Sequence, residues 1–185
     1  MHHFPKRISL DLPCTWIWDV IPSRLLRKML SIGVSPPVDK IIRSGAVPYL
    51  VQLLDTTEIE KYYHIVKEQL YNANVHLKSN ASIDEYQIFQ LQVEATWAIT
   101  NIAGGTTEHV RYIVELGCVP LLIQLLSSKN DALKEQAVWA IGNIAGDSGM
   151  FRDYLLEMGA LDRIVELMQK RYCYTLSLRT NGKSY

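Results

Sequence analysis

Apolar residues along this chain recur at helical spacing, not in strand-like alternation. Over residues 131–147, Leu133, Ala137, Ile141 and Ile144 fall on one side of a wheel turning about 100° per residue. Leu91, Ala95, Ile99 and Ile102 do the same over residues 91–105. Both segments predict long helices with one buried face. Shorter helices bracket them. Pro36-Pro37 opens a short one over Val38 to Ser44, and Gly45 ends it, as Gly117 and Gly159 end later segments. Pro48 and Pro120 sit in the first turn of a further helix that finishes in Leu-Leu. The fold class that follows is all-α.

The pattern repeats. EATWAITNIAGG (Glu94 to Gly105) returns as EQAVWAIGNIAGD (Glu135 to Asp147), so Trp97 and Trp139 are 42 residues apart. SGAVPYLVQLL from Ser44 returns as LGCVPLLIQLL from Leu116 and as MGALDRIVELM from Met158, with Gly117 and Gly159 again 42 apart. Short, longer and longest helices at this period make an armadillo-repeat α-solenoid, expected as a right-handed superhelical stack of about two and a half three-helix repeats. The first full unit is 30 residues longer than the second, which places an insertion within about 55–90. That stretch is polar and turn-prone apart from one short helix expected near 59–71, and reads as an exposed excursion. The expected division is an N-terminal segment over 1–20, repeats over 21–168 and a basic tail over 169–185. So short a stack leaves apolar repeat ends uncovered, which predicts marginal stability or self-association.

A second stripe runs along each long helix. Gln136, Trp139, Asn143 and Asp147 share an arc of roughly 80°, and Glu94, Trp97, Asn101 and Gly105 repeat it. Two tryptophans off the buried face, each followed by Asn one turn later, suggest a ladder for an extended peptide. Stacked helices lie about 10 Å apart, and an extended chain advances about 3.3 Å per residue. Each Asn amide offers a donor and an acceptor to a peptide main chain. The Trp faces would flank slots for long cationic side chains, and Asp147 would supply a charge-assisted bond to an ammonium. The competing reading is that both tryptophans fill core between repeats while both asparagines satisfy local backbone.

Charge sharpens this picture. The 19 basic and 19 acidic residues cancel overall, which argues against a nucleic-acid or membrane coat. Yet residues 91–168 hold five bases against ten acids, while residues 1–54 hold seven bases against three acids and residues 169–185 four against none. The acidic block coincides with the two Trp–Asn stripes, and Asp147 is the acid set apart from an ordinary solvated face. Cys14, Cys118 and Cys173 are odd in number and far apart, so neither a disulfide framework nor a zinc site is expected. His2, His3, His64, His76 and His109 show no ligand or triad spacing, and no phosphate- or dinucleotide-binding glycine pattern occurs. The expectation is a protein that is not an enzyme, without metal or cofactor, located in the cytosol or the nucleus.

The segments WAITN (Trp97 to Asn101), EQAVWAIGNIAGD and RKMLS followed by PPVDKIIRSGAVP (Arg27 to Pro48) closely resemble importin alpha, also called karyopherin alpha. The similarity covers about Leu26 to Met168 without the insertion. It implies a nuclear import adaptor that binds lysine- and arginine-rich localisation signals as extended peptides, for carriage by importin beta. Carried over by position, it implies a major peptide site of Trp97, Asn101, Trp139 and Asn143. Gln136 and Asp147 would contact the most critical lysine, and Ala103, Gly104 and Gly105 would form a small-residue turn facing it. Where the family usually has Ser and often Thr, this chain has Gly104 and Val110, and Ile32 replaces a basic residue. YTLSLRTN (Tyr174 to Asn181) only faintly resembles a further Trp–Asn helix. Lys6 and Arg7 are nearly all that stands for the family's basic N-terminal arm, so direct importin beta binding is expected to be weak. The alternative reading is a generic armadillo scaffold that has lost transport activity.

Overall fold

The computed structural model describes residues 20–31, 36–57, 59 and 85–169; the side chains of residues 20–24 and 85–88 are not included. Nine helices run through the described residues, Thr56, Thr57 and Ile59 are helical as well, and no strand occurs among the described residues. The nine are α1 (Val20–Ser31), α2 (Val38–Arg43), α3 (Val47–Gln52), α4 (Glu85–Ala103), α5 (Thr107–Glu115), α6 (Cys118–Leu125), α7 (Asp131–Asp147), α8 (Gly149–Glu157) and α9 (160–169). Two short helices followed by a long one recur as α2–α3–α4 and α5–α6–α7, and α8 with α9 begins a third turn of the pattern. This is the all-α armadillo solenoid that the period of 42 predicted.

Local chemistry sets the corners. Gly45, Gly117 and Gly159 adopt φ of 76°, 82° and 79°, so each bend between first and second helix is left-handed and favours glycine. Asn130 caps α7 through its Oδ1, which accepts from the Leu133 N–H at 3.1 Å, and Ser148 caps α8 in the same way from Phe151 N–H.

The long helices form the spine. α4 packs against α1 on one side and α7 on the other. The apolar sets read from the sequence all lie in the core: Leu91, Ala95, Ile99 and Ile102 on α4, and Leu133, Ala137, Ile141 and Ile144 on α7. Polar groups are also buried along α4. Gln92 donates to the Leu54 carbonyl and to Thr56 Oγ1, both at 3.0 Å, which ties the end of α3 to the spine. Thr96 and Thr100 bond back to the carbonyls four residues before them, at 2.6 and 2.9 Å.

Two expectations shift. α4 begins at Glu85, so the last six residues of the 55–90 excursion are helical, not looped. Glu85, Gln87 and Gln90 are good helix formers, and the spacing Ile88 to Leu91 continues the apolar pattern backwards. At the other end of the excursion Ile59 is buried with Leu91 and Leu53. The remainder of the expected 59–71 helix, Ile32, residues 1–19 and the Tyr174–Asn181 segment lie outside the described residues. On α9, Leu161, Val165 and Met168 are exposed, while Ile164 and Leu167 pack on the core.

Candidate functional site

The two tryptophans settle on the open side of their helices. Trp139 is 57% exposed and Trp97 36%, whereas every apolar residue of the opposing face is buried. The core-filling reading of these side chains therefore does not hold. Asn101 and Asn143 stand one turn further along the same stripe, and each reaches the helix before its own. Asn101 Nδ2 donates to Ser31 Oγ on α1 at 3.0 Å, and Asn143 Nδ2 donates to the Thr100 carbonyl on α4 at 3.0 Å. One amide N–H per Asn is thus used to fix the side chain. The Oδ1 atoms have no partner among the described residues, leaving an outward acceptor on each rung.

Trp97 already carries a cation. The Arg27 guanidinium from α1 lies 4.3 Å from its ring centroid and also pairs with Glu94. This corrects the placement of Glu94 on the open stripe: it is 7% exposed and paired with Arg27. The arrangement shows how a planar cation fits an indole of this ladder. It also fills one face of Trp97 from within.

At the two ends of the second stripe are acceptors without donors. Gln136 Oε1 and Asp147 Oδ2 are buried atoms with no hydrogen-bond partner among the described residues. Asp147 Oδ1 accepts from Thr107 Oγ1 at 3.1 Å, which orients the carboxylate. The resemblance implied that Gln136 and Asp147 share one lysine. They are eleven residues apart on the continuous helix α7, a rise of about 16 Å. One ammonium cannot reach both.

Ala103, Gly104 and Gly105 form the turn that ends α4. The Ala103 side chain is buried, which leaves the backbone as its accessible chemistry. Gly104 N–H bonds to the Thr100 carbonyl at 3.1 Å and Gly105 N–H to Ile102 at 3.0 Å, while no backbone donor among the described residues reaches the Ala103 or Gly104 carbonyls. Carbonyls at a helix C-terminus attract cations. A Cβ on Gly104 would meet Asn143 Nδ2 at 3.6 Å, an ordinary contact, so a serine has room there. Val110 is fully buried in the core and does not line this turn.

Sequence reading missed Arg27, Ser31, Thr107 and the pair His109–Asp39, in which the imidazole Nε2–H donates to Asp39 Oδ1 at 2.9 Å. Each contact joins residues 40 to 70 positions apart. A basic residue on the helix before Trp97, with an acid three positions ahead of that Trp, is the only trace of one of them in the sequence.

Residues 106–146 match the family model for the armadillo/beta-catenin-like repeat. Over 114 residues the chain is 41% identical to importin subunit alpha-3 of Arabidopsis thaliana, covering 62% of this chain and 16% of that one. Importin subunit alpha of Saccharomyces cerevisiae is 37% identical over 110 residues, 60% of this chain and 15% of that one. The matched region thus spans about a sixth of the length of these relatives. Among solved structures, a designed armadillo repeat protein in complex with the peptide (KR)4 is 29% identical with a TM-score of 0.46, covering 80% of this chain and 66% of that one. The helix order, the period and the family-model match over residues 106–146 make the described part an armadillo-repeat region, and over about three fifths of its length the chain is similar to a segment of importin alpha subunits.

Proposed function

We propose that this chain binds lysine- and arginine-rich segments of other proteins as extended peptides along α4 and α7, as a nuclear import adaptor working between cytoplasm and nucleus. The observation that carries this reading is the Trp139–Asn143 stripe ending on the unpartnered buried oxygen of Asp147. A buried acceptor without a donor costs about 1–3 kcal/mol, and a cationic ligand would supply the missing donors. The relatives' names, importin subunits alpha, favour the same reading.

In this account Trp97 and Trp139 flank a slot for the methylenes and head group of a ligand side chain. Asn101 and Asn143 present Oδ1 to the ligand's backbone N–H groups. Asp147 and the Ala103–Gly105 carbonyls receive one ammonium, and Gln136 receives a donor further along the peptide.

Anisotropy of a labelled peptide with five consecutive basic residues tests this against a Trp139→Ala/Asn143→Ala chain. Binding by the parent and at least a tenfold loss in the variant supports the proposal, and equal binding overturns it. Hand-over to importin beta is the remaining part of the proposal. Capture of this chain by importin beta would support the transport role. Peptide binding without capture would favour the scaffold reading, in which the groove has lost its carrier.

A further inference from the structure

We propose that His109 is a positioning residue for the Ala103–Gly105 turn, and that protonation of its imidazole weakens capture of a basic peptide there. The inference rests on the peptide-binding reading of that turn.

Thr106 is the N-cap of α5, and His109 stands at the third helical position, where it closes a capping box. The Thr106 N–H donates to His109 Nδ1 at 3.1 Å, and the His109 N–H donates to Thr106 Oγ1 at 3.4 Å. Because Nδ1 accepts an N–H, it must carry a lone pair. The ring proton is then on Nε2, where it donates to Asp39 Oδ1 at 2.9 Å. One imidazole thus fixes the residue that follows the turn and ties it to α2 of the preceding repeat. The ring also explains Gly105: its φ is not left-handed, but a Cβ there would overlap His109 Nδ1. Gly105 supplies space for the histidine.

Protonation puts a hydrogen on Nδ1 facing the Thr106 N–H, two donors with no acceptor between them. That half of the capping box is then lost; Thr106 Oγ1 still accepts from the His109 N–H, and the turn keeps Gly104 and Gly105 to the end of α4 and Asn143 on Thr100. Asp39 on α2 favours the cation, and Arg43 on α2 acts against it through Asp39. On α5 itself Glu108 is an anion stabilised first by its own backbone N–H and then by Thr106, with Arg111 beside it. From α7, Asp147 reaches the neighbouring Thr107.

Peptide affinity is measured at about pH 7.5 and about pH 5.5, bracketing imidazole titration, for the parent chain, His109→Gln and His109→Ala. A Gln side chain accepts from the Thr106 N–H at either pH. The parent should lose about fivefold in affinity on acidification, the worth of one hydrogen bond. His109→Gln should restore tight binding at both pH values, and His109→Ala should bind weakly at both. A parallel acid loss in His109→Gln overturns the proposal. NMR of the free chain separates this from the peptide reading: the amide signals of Gly104, Gly105 and Thr106 should titrate with the imidazole in the parent. If they titrate while no peptide binds at either pH, the peptide reading fails and the His109 linkage stands. If they do not titrate, the linkage is refuted whatever the peptide does.

Discussion

Asp147→Asn keeps the shape of the side chain and removes its charge. In the free chain one carboxylate oxygen is held by Thr107 Oγ1 at 3.1 Å and the other is buried without a donor. Asparagine keeps an acceptor for Thr107, so the fold loses no contact. It also replaces a buried unpaired charged oxygen with a neutral amide nitrogen, and stability should stay level or rise by no more than about 1 kcal/mol, a shift of about 2–4 °C in melting temperature. Binding should move the other way. A charge-assisted bond to an ammonium is worth about 1.5–3 kcal/mol, so affinity for a basic peptide should fall about 10- to 150-fold. Calorimetric titration and thermal melts of the two chains read both quantities. A variant that melts several degrees lower yet binds as tightly as the parent would refute the reasoning, because Asp147 would then serve the fold and not a ligand.

Three further outcomes follow from the geometry. Gly104→Ala should leave stability level or raise it by about 0.4–1 kcal/mol by restricting the unfolded chain, whereas Gly105→Ala should cost about 1 kcal/mol or more because its Cβ displaces the His109 ring and opens the capping box; urea melts compare them. Burial pushes the Cys118 thiol far above its ordinary range, so alkylation followed by peptide mapping should find it unmodified in the native chain and modified once unfolded. The Asp39 carboxyl is held below its ordinary value first by the His109 hydrogen bond and then by the charges of His109 and Arg43. A lowered carboxyl stabilises above its unfolded pKa and loses that contribution as pH falls through the folded value. Stability should therefore drop on acidification below about pH 4, and Asp39→Asn should flatten that limb of the denaturation curve.

Much of the architecture was legible in the residues. The spacing of Leu133, Ala137, Ile141 and Ile144 names a buried face because helical periodicity is local, and the glycines at 45, 117 and 159 mark left-handed corners because few other residues tolerate that backbone. The exposure of Trp97 and Trp139 also follows from the wheel. What escaped is the pairing across repeats. Nothing local tells that Glu94, on the same wheel arc as Trp97, is buried and paired with Arg27, or that a histidine replaces the usual acidic or amide partner in a capping box. Such contacts depend on which helix faces come together, and a wheel carries no information about neighbours. The early start of α4 at Glu85 was hidden by polar residues, which suit an exposed helix and a loop equally well.

The central claim is that a basic peptide lies along the Trp–Asn stripes of α4 and α7. The most direct measurement follows the indole N–H signals of Trp97 and Trp139 by NMR, assigned through single Trp→Phe chains, as a peptide with five consecutive basic residues is added. The account predicts that both signals shift along one saturation curve and that added salt weakens the affinity. Saturable peptide binding that leaves both indole signals unmoved would contradict it.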